Sequence, residues 1–187
     1  MAPPRYLIFT DLDGTLLDHR TYSWAAAGEA LKVIERRRIP LIFVTSKTRA
    51  EVQALRRRIG NRHPFITENG GGIFIPQNYF GRRVARASPV GRYQCIALAW
   101  PYREVVEQLQ EIARGSRARV LRFHQMNVRE IAKRTGLPLE PAELARKREF
   151  DEPFFFLAGG NKTTTRFVRL ARRRGLEVTS GGRFWHL

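Results

Sequence analysis

Tyr6-Leu7-Ile8-Phe9-Thr10-Asp11-Leu12-Asp13-Gly14-Thr15-Leu16-Leu17 is the stretch that decides the fold class. An apolar run enters two carboxylates at i and i+2, the chain can turn sharply at Gly14, and Thr15-Leu16-Leu17 restarts an apolar stretch. A short apolar run bounded by turn residues predicts a buried strand, which sets Asp11 and Asp13 in a loop at its carboxyl end. A plain turn with Asp11 as a helix-capping acid is the alternative. The apolar stretches on both sides favour a built site. In such a pair one carboxylate, Asp11, can attack phosphorus, while the other, Asp13, protonates the leaving alcohol and later deprotonates water. Attack on a phosphate dianion is electrostatically opposed. A hard cation is therefore expected, most simply Mg²⁺ held by Asp11, the Asp13 backbone carbonyl, water and a substrate oxygen.

Outward from the loop, Trp24, Ala27, Leu31 and Ile34 recur at helical spacing, and residues 41–45 form a second apolar strand. A helix with Val52, Leu55 and Ile59 on its inward face and Gly60 at its end follows, then a short strand at 65–67. Strand, helix, strand, helix, strand predicts a parallel sheet with right-handed crossovers, with ligands at the carboxyl ends of the strands. Asp11 and Ser46 fall at two such ends, although Ser46 alone also fits an ordinary helix N-cap. After Gly70-Gly71-Gly72 a hairpin is expected around 73–79, and the basic, Gly- and Pro-containing stretch 81–91 suggests a domain boundary, giving 1–84 and 85–187. A second α/β unit is read beyond it. Residues 93–99 read as a strand and 101–114 as a helix; Asn127 and Glu130 form a capping-box pair opening a helix that Gly136 closes. Pro141 opens another helix reaching about Arg148, and strands at 154–157, 176–179 and 183–187 surround a helix over 163–174.

At 187 residues, 43% hydrophobic and 11% aromatic, the chain can bury one sizeable core or two modest ones. The lone Cys95 excludes an intramolecular disulfide and a Cys-rich zinc site, and a reducing, cytoplasmic setting is expected. No run approaches the roughly 20 apolar residues of a membrane span, and residues 1–4 lack the order of a secretory signal, so no membrane partner is expected. The net charge of +17 admits nucleic acid or an anionic small molecule as partner. Its arginines cluster at 36–38, 56–58 and 172–174, near the ends of predicted helices, where the helix dipole favours cations. No recognition-helix, RNP or zinc-finger pattern accompanies them, so the sequence disfavours nucleic acid.

Phe9-Thr10-Asp11-Leu12-Asp13-Gly14-Thr15-Leu16-Leu17 resembles the first motif of the haloacid dehalogenase superfamily. Thr45-Ser46-Lys47-Thr48 resembles its second motif, in which a hydroxyl binds the transferring phosphate; this assigns Ser46 and the adjoining Lys47 to phosphate. Together with Glu68-Asn69-Gly70-Gly71, Arg148-Glu149-Phe150-Asp151-Glu152-Pro153-Phe154 and Ser180-Gly181-Gly182-Arg183-Phe184-Trp185-His186-Leu187, these segments resemble the mannosyl-3-phosphoglycerate phosphatase family in order and from end to end. The resemblance implies a Rossmann-like core with an α/β C2-type cap. It also implies Mg²⁺-dependent hydrolysis of 2-O-mannosyl-3-phosphoglycerate, with the glucosyl ester as the close alternative. Substrate contacts are then expected from Glu68, Asn69 and Gly70, from Arg148 to a carboxylate, and from Glu149 and Asp151 to sugar hydroxyls. The turn Ser180-Gly181-Gly182 leaves Arg183 free for a bidentate pair with carboxylate or phosphate, and His186 completes the set. Read alone, 68–72 fits a glycine turn, 148–152 a solvated helix end and His186 a structural strand position.

The family's third motif, a lysine, and its fourth, an acidic pair completing the metal site, lie downstream of the segment matching Gly181 to Leu187. Leu187 is the last residue and Glu177 the last acid. The expectation is an incomplete core sheet, Asp11 and Asp13 as half of a Mg²⁺ site, impaired activity, and a complementing C-terminal polypeptide as a possible partner. Lys47 and Lys162 are candidates to replace part of the lysine's charge. A non-catalytic sugar-phosphate-binding module stays open as a second class, and a basic nucleic-acid binder as a third.

Overall fold

In a computed structural model that describes residues 6–158, 160–181 and 184–187, the acidic loop leaves strand β1 (Ile8–Thr10). β1 pairs in parallel with β2 (Leu41–Val44), Thr10 opposite Phe43, and β2 pairs in parallel with β3 (Phe65–Thr67). The crossovers are α1 (Gly28–Arg36) and α2 (Arg49–Ile59). β2 reads as an unbroken apolar run because Leu41, Ile42 and Phe43 are all buried, as in a covered parallel strand. α2 starts where Thr48 and Glu51 form a reciprocal capping box and stops at Gly60, whose φ of +80° suits a left-handed cap.

The sheet then turns antiparallel. β4 (Gly72–Pro76) pairs with β3, and the hairpin of β5 (Ser88–Val90) and β6 (Tyr93–Ala97) completes the order β1-β2-β3-β4-β6-β5. The chain divides into units 1–98 and 99–187. The composition change at 81–91 therefore lies inside the first unit, and the strand expected to open the second belongs to the first sheet. Ile73 opposite Ile96 and Phe74 opposite Cys95 are the pairings responsible. Arg56 fastens this hairpin to α2. Arg56 is 6% exposed, and its guanidinium donates to the Tyr93 hydroxyl at 3.1 Å and the His63 carbonyl at 2.5 Å and stacks 4.5 Å over the Phe65 ring. At the other end β1 is the outermost strand, with Leu7 53% and Phe9 58% exposed.

The second unit runs α3 (Tyr102–Ser116), β7 (Arg119–Arg122), α4 (Val128–Thr135), α5 (Leu139–Ala145), β8 (Pro153–Ala158), α6 (Asn161–Arg173), β9 (Thr179–Gly181) and β10 (Phe184–His186). Its four strands are antiparallel in the order β7-β8-β10-β9. Successive strand side chains point to opposite faces. Accordingly Phe154 packs with Val105, Leu109 and Ile112 of α3 and Phe167 and Ala171 of α6, while Phe155 packs with Phe123, Met126, Ile131 and Ala142 on the α4–α5 side. The Asn127–Glu130 capping box and the closing Gly136 form as the sequence predicts. Pro141 lies inside the first turn of α5, where a missing N–H costs nothing, and that helix ends at Ala145 rather than near Arg148. The strand expected over 176–179 instead begins at Thr179, while Leu176 and Val178 pack against the core ahead of it.

Candidate active site

The first unit gathers seven of the expected site residues at the carboxyl ends of β1, β2 and β3. Leu12 and Leu17, both buried, anchor the acidic loop, and Gly14 at φ +78° lets the chain double back so that its N–H reaches the Leu17 carbonyl at 2.9 Å. This leaves the Asp11 and Asp13 carboxylates in solvent. Asp11 has one long contact, from the Thr15 hydroxyl at 3.5 Å, and among the described residues no cation pairs with it. Asp13 is different. Lys47 Nζ lies 2.9 Å from its Oδ2 and 3.9 Å from Glu51 Oε1.

Thr45, Ser46 and Lys47 follow β2, and the next strand's loop is bonded to this segment: the Glu68 N–H donates to the Lys47 carbonyl at 3.1 Å and the Asn69 N–H to the Thr45 carbonyl at 3.2 Å. Glu68, Asn69 and Gly70 all have positive φ, at 50°, 56° and 95°. Two adjacent non-glycine residues in that region are held there at a cost by their surroundings, a feature concentrated at functional sites. Glu68 is buried and Asn69 exposed. Burial works to lower the Lys47 pKa, but the Glu51 and Asp13 carboxylates outweigh it and hold the ammonium above the ordinary lysine range. Glu51 is absent from the expected site; Thr48-Arg49-Ala50-Glu51 is a capping-box pattern that could have singled it out, though nothing in that pattern points it toward a lysine.

The second unit holds a separate polar cluster. Arg148 Nη2 meets Asp151 Oδ1 at 3.1 Å, and His186 Nδ1 meets Asp151 Oδ2 at 3.0 Å, with both acid and arginine side chains only 6% exposed. Asp151 thus bridges Arg148 and His186. Glu149 is half-buried, and its carbonyl accepts the Tyr102 N–H at 2.9 Å. Beside them Glu152, fully buried, accepts the Tyr102 hydroxyl at 2.6 Å and the His124 N–H at 2.8 Å. Burial pushes its pKa up to about 7 against those two hydrogen bonds. Glu152, Tyr102 and His124 carried no signal in the sequence, since neither the strand pattern nor the charge run distinguishes Glu152 from the other charged residues of 148–152. Ser180 and Gly181 lie exposed on β9; Gly182 and Arg183 fall outside the described residues. Among the described residues no group of three or more His, Cys, Asp or Glu side chains is gathered to hold an ion.

Residues 8–87 match the model of the haloacid dehalogenase-like hydrolase family. The chain is 40% identical over 183 residues to a Methanococcoides burtonii protein named glucosyl-3-phosphoglycerate/mannosyl-3-phosphoglycerate phosphatase, covering 98% of this chain and 67% of that one. It is 32% identical over 181 residues to the mannosyl-3-phosphoglycerate phosphatase of Pyrococcus furiosus, covering 96% and 70%. The fold is similar to that of a Thermoplasma acidophilum crystal structure at TM-score 0.62 and 20% identity, over 97% of this chain and 63% of that one. The chain spans about two thirds of the length of the curated relatives it matches. Likeness at this identity and over this much of each relative settles the family: the chain belongs to the mannosyl-3-phosphoglycerate phosphatases, within the haloacid dehalogenase-like hydrolases.

Proposed function

We propose that this protein is a phosphomonoesterase that removes phosphate from 3-phosphoglycerate bearing a mannosyl or glucosyl group. The observation that carries the reading is the convergence, at the ends of parallel strands β1 and β2, of the exposed Asp11 carboxylate, unpaired among the described residues, with the Lys47–Asp13 ion pair. The names of the Methanococcoides and Pyrococcus relatives supply the substrate class. Asp11 attacks phosphorus and becomes an aspartyl-phosphate. Asp13 gives a proton to the leaving alkoxide and takes one from the water that hydrolyses the intermediate. Ser46 and Lys47 bind the transferring phosphate, and Glu68, Asn69 and Gly70 line its surroundings.

The residues fit Mg²⁺. Asp11 offers hard oxygen with no cation paired to it among the described residues, and Mg²⁺ is characteristically held by one or two carboxylates, waters and substrate phosphate rather than by a full protein cage. Asp11 and the Asp13 carbonyl would hold it, and when bound it supplies neutralisation of phosphate charge. Residues 99–187 take the part of the cap, with Arg148, Glu149, Asp151, Ser180, Gly181, Gly182, Arg183 and His186 as the substrate-recognition set. Within it, the bonds of Asp151 to Arg148 and His186 support a shaping role alongside contact.

Phosphate release measured with Mg²⁺ should favour mannosyl- and glucosyl-3-phosphoglycerate over 3-phosphoglycerate and glucose 6-phosphate by at least about tenfold in kcat/KM. Equal rates on all four esters, or release from none, would overturn the assignment.

A further inference from the structure

The loop after the acidic motif carries a tyrosine in a costly backbone conformation. Tyr22 has φ +54°, a region that bulky residues rarely occupy. The turn holding it there is closed from several directions. Asp18 Oδ1 accepts the Thr21 N–H at 2.7 Å, the Thr21 hydroxyl at 2.8 Å and the Arg20 N–H at 3.0 Å. The Tyr22 N–H donates to the Asp18 carbonyl at 2.9 Å, and the Asp18 N–H to the Ser23 carbonyl at 2.8 Å. Hydrogen bonds from Thr21 and Arg20 hold the Asp18 carboxyl below the usual range, so the clamp persists in its charged form through neutral pH.

The turn directs the Tyr22 ring toward Lys47, whose Nζ lies 5.2 Å from the ring centroid, within cation–π range. The same ammonium faces Asp13 and Glu51. A lysine side chain only 15% exposed has few rotamers open to it, and an ammonium withdrawn from water needs a partner on each side. Carboxylates meet two sides and the ring supplies another.

We propose that Tyr22 is a positioning residue: the Asp18-clamped turn sets its ring against Lys47 and so holds the ammonium at Asp13, beside the place the substrate phosphate takes. That phosphate belongs to the function proposed above; the ring, the ammonium and the carboxylates do not depend on it. Tyr22 touches neither reacting atom and acts only through Lys47.

Two readouts on the full chain test this. Tyr22→Asn removes the ring while keeping a residue tolerant of positive φ, so relief of backbone strain is not confused with loss of the ring. Tyr22→Phe keeps the ring. NMR relaxation of the Lys47 ¹³Cε group, in protein free of metal and substrate, should show an ordered side chain in the parent and in Tyr22→Phe. In Tyr22→Asn the order parameter should fall below about 0.6, into the flexible range. In the phosphatase assay Tyr22→Asn should lose about two- to fivefold in kcat/KM, with Tyr22→Phe restoring it. Asp18→Ala, which frees the turn without touching the ring, should give the same loss of order and serves if Tyr22→Asn does not fold. Unchanged Lys47 order in the ring-less or unclamped variant overturns the proposal, whatever the activity. Loss of order in a chain that hydrolyses no ester upholds it and overturns the phosphatase reading instead.

Discussion

Asp11→Asn is expected to lower phosphate release from the glycosyl-phosphoglycerate by about a thousandfold or more while leaving the fold intact, because an amide cannot form the acyl-phosphate. The structural cost is small. Asp11 is exposed, and its only side-chain hydrogen bond among the described residues is the long one from Thr15, which an asparagine oxygen can also accept. The loop depends instead on Leu12, Leu17 and Gly14. Steady-state kinetics alongside a thermal melt separate the two: an unchanged melting temperature with activity nearly abolished is the expected pair. Activity within tenfold of the parent would falsify the role of Asp11 as nucleophile. Asp13→Asn makes a useful contrast, since it also leaves Lys47 with Glu51 as its remaining carboxylate and should disturb the site's geometry as well as its proton transfer.

Glu152→Gln is expected to stabilise the protein above neutral pH. Glu152 has a folded pKa of about 7 against 4.5 for the free side chain, so between those values the unfolded chain releases a proton that the folded chain retains. The folded state is therefore favoured fully below about pH 4.5, and that advantage is lost as pH rises toward 7. The size is about 3 kcal/mol at 1.36 kcal/mol per pKa unit. Glutamine keeps the shape and can still accept the His124 N–H, while its amide can donate to the Tyr102 oxygen, which accepts as readily as it donates. Urea unfolding at pH 5 and pH 8 checks it. The parent should lose roughly 2 to 3 kcal/mol more stability over that interval than the variant, the first part of the loss having already occurred below pH 5; equal losses would overturn this role of Glu152.

Much of the first unit could be read from local pattern because its rules are local. The apolar run before Asp11, the continuous β2 strand and the Gly60 cap each rest on residues within one turn or strand, while the N-cap of α2 falls at Thr48 rather than at Ser46. Pairing between distant strands does not. β6 joined the first sheet through Phe74 and Cys95, two residues whose partnership no periodicity reports. β7 was missed because Arg119-Val120-Leu121-Arg122 offers only two apolar residues between charges, and β9, Thr179-Ser180-Gly181, is an exposed edge with no apolar signal at all. The site divides in the same way. Asp11, Asp13, Ser46 and Lys47 announce themselves through motif spacing, whereas the Lys47–Asp13 pair, the Tyr22 ring and the burial of Glu152 arise only when separate segments meet. Residues 148–152 show the limit well: four charges in five positions suggested solvent, yet Arg148, Asp151 and Glu152 turn inward.

Strand β1, at the rim of its sheet among the described residues and with Leu7 and Phe9 largely uncovered, has a consequence for how this 187-residue chain behaves in a tube. A rim strand presents a row of backbone donors and acceptors that another copy can extend, and apolar side chains beside it reward the contact. The net charge of +17 opposes this by keeping like-charged molecules at a distance. That repulsion reaches about 10 Å at 0.1 M salt and only about 3 Å at 1 M. Dilute buffer therefore protects the protein from itself, and concentrated salt removes the protection while strengthening apolar adhesion.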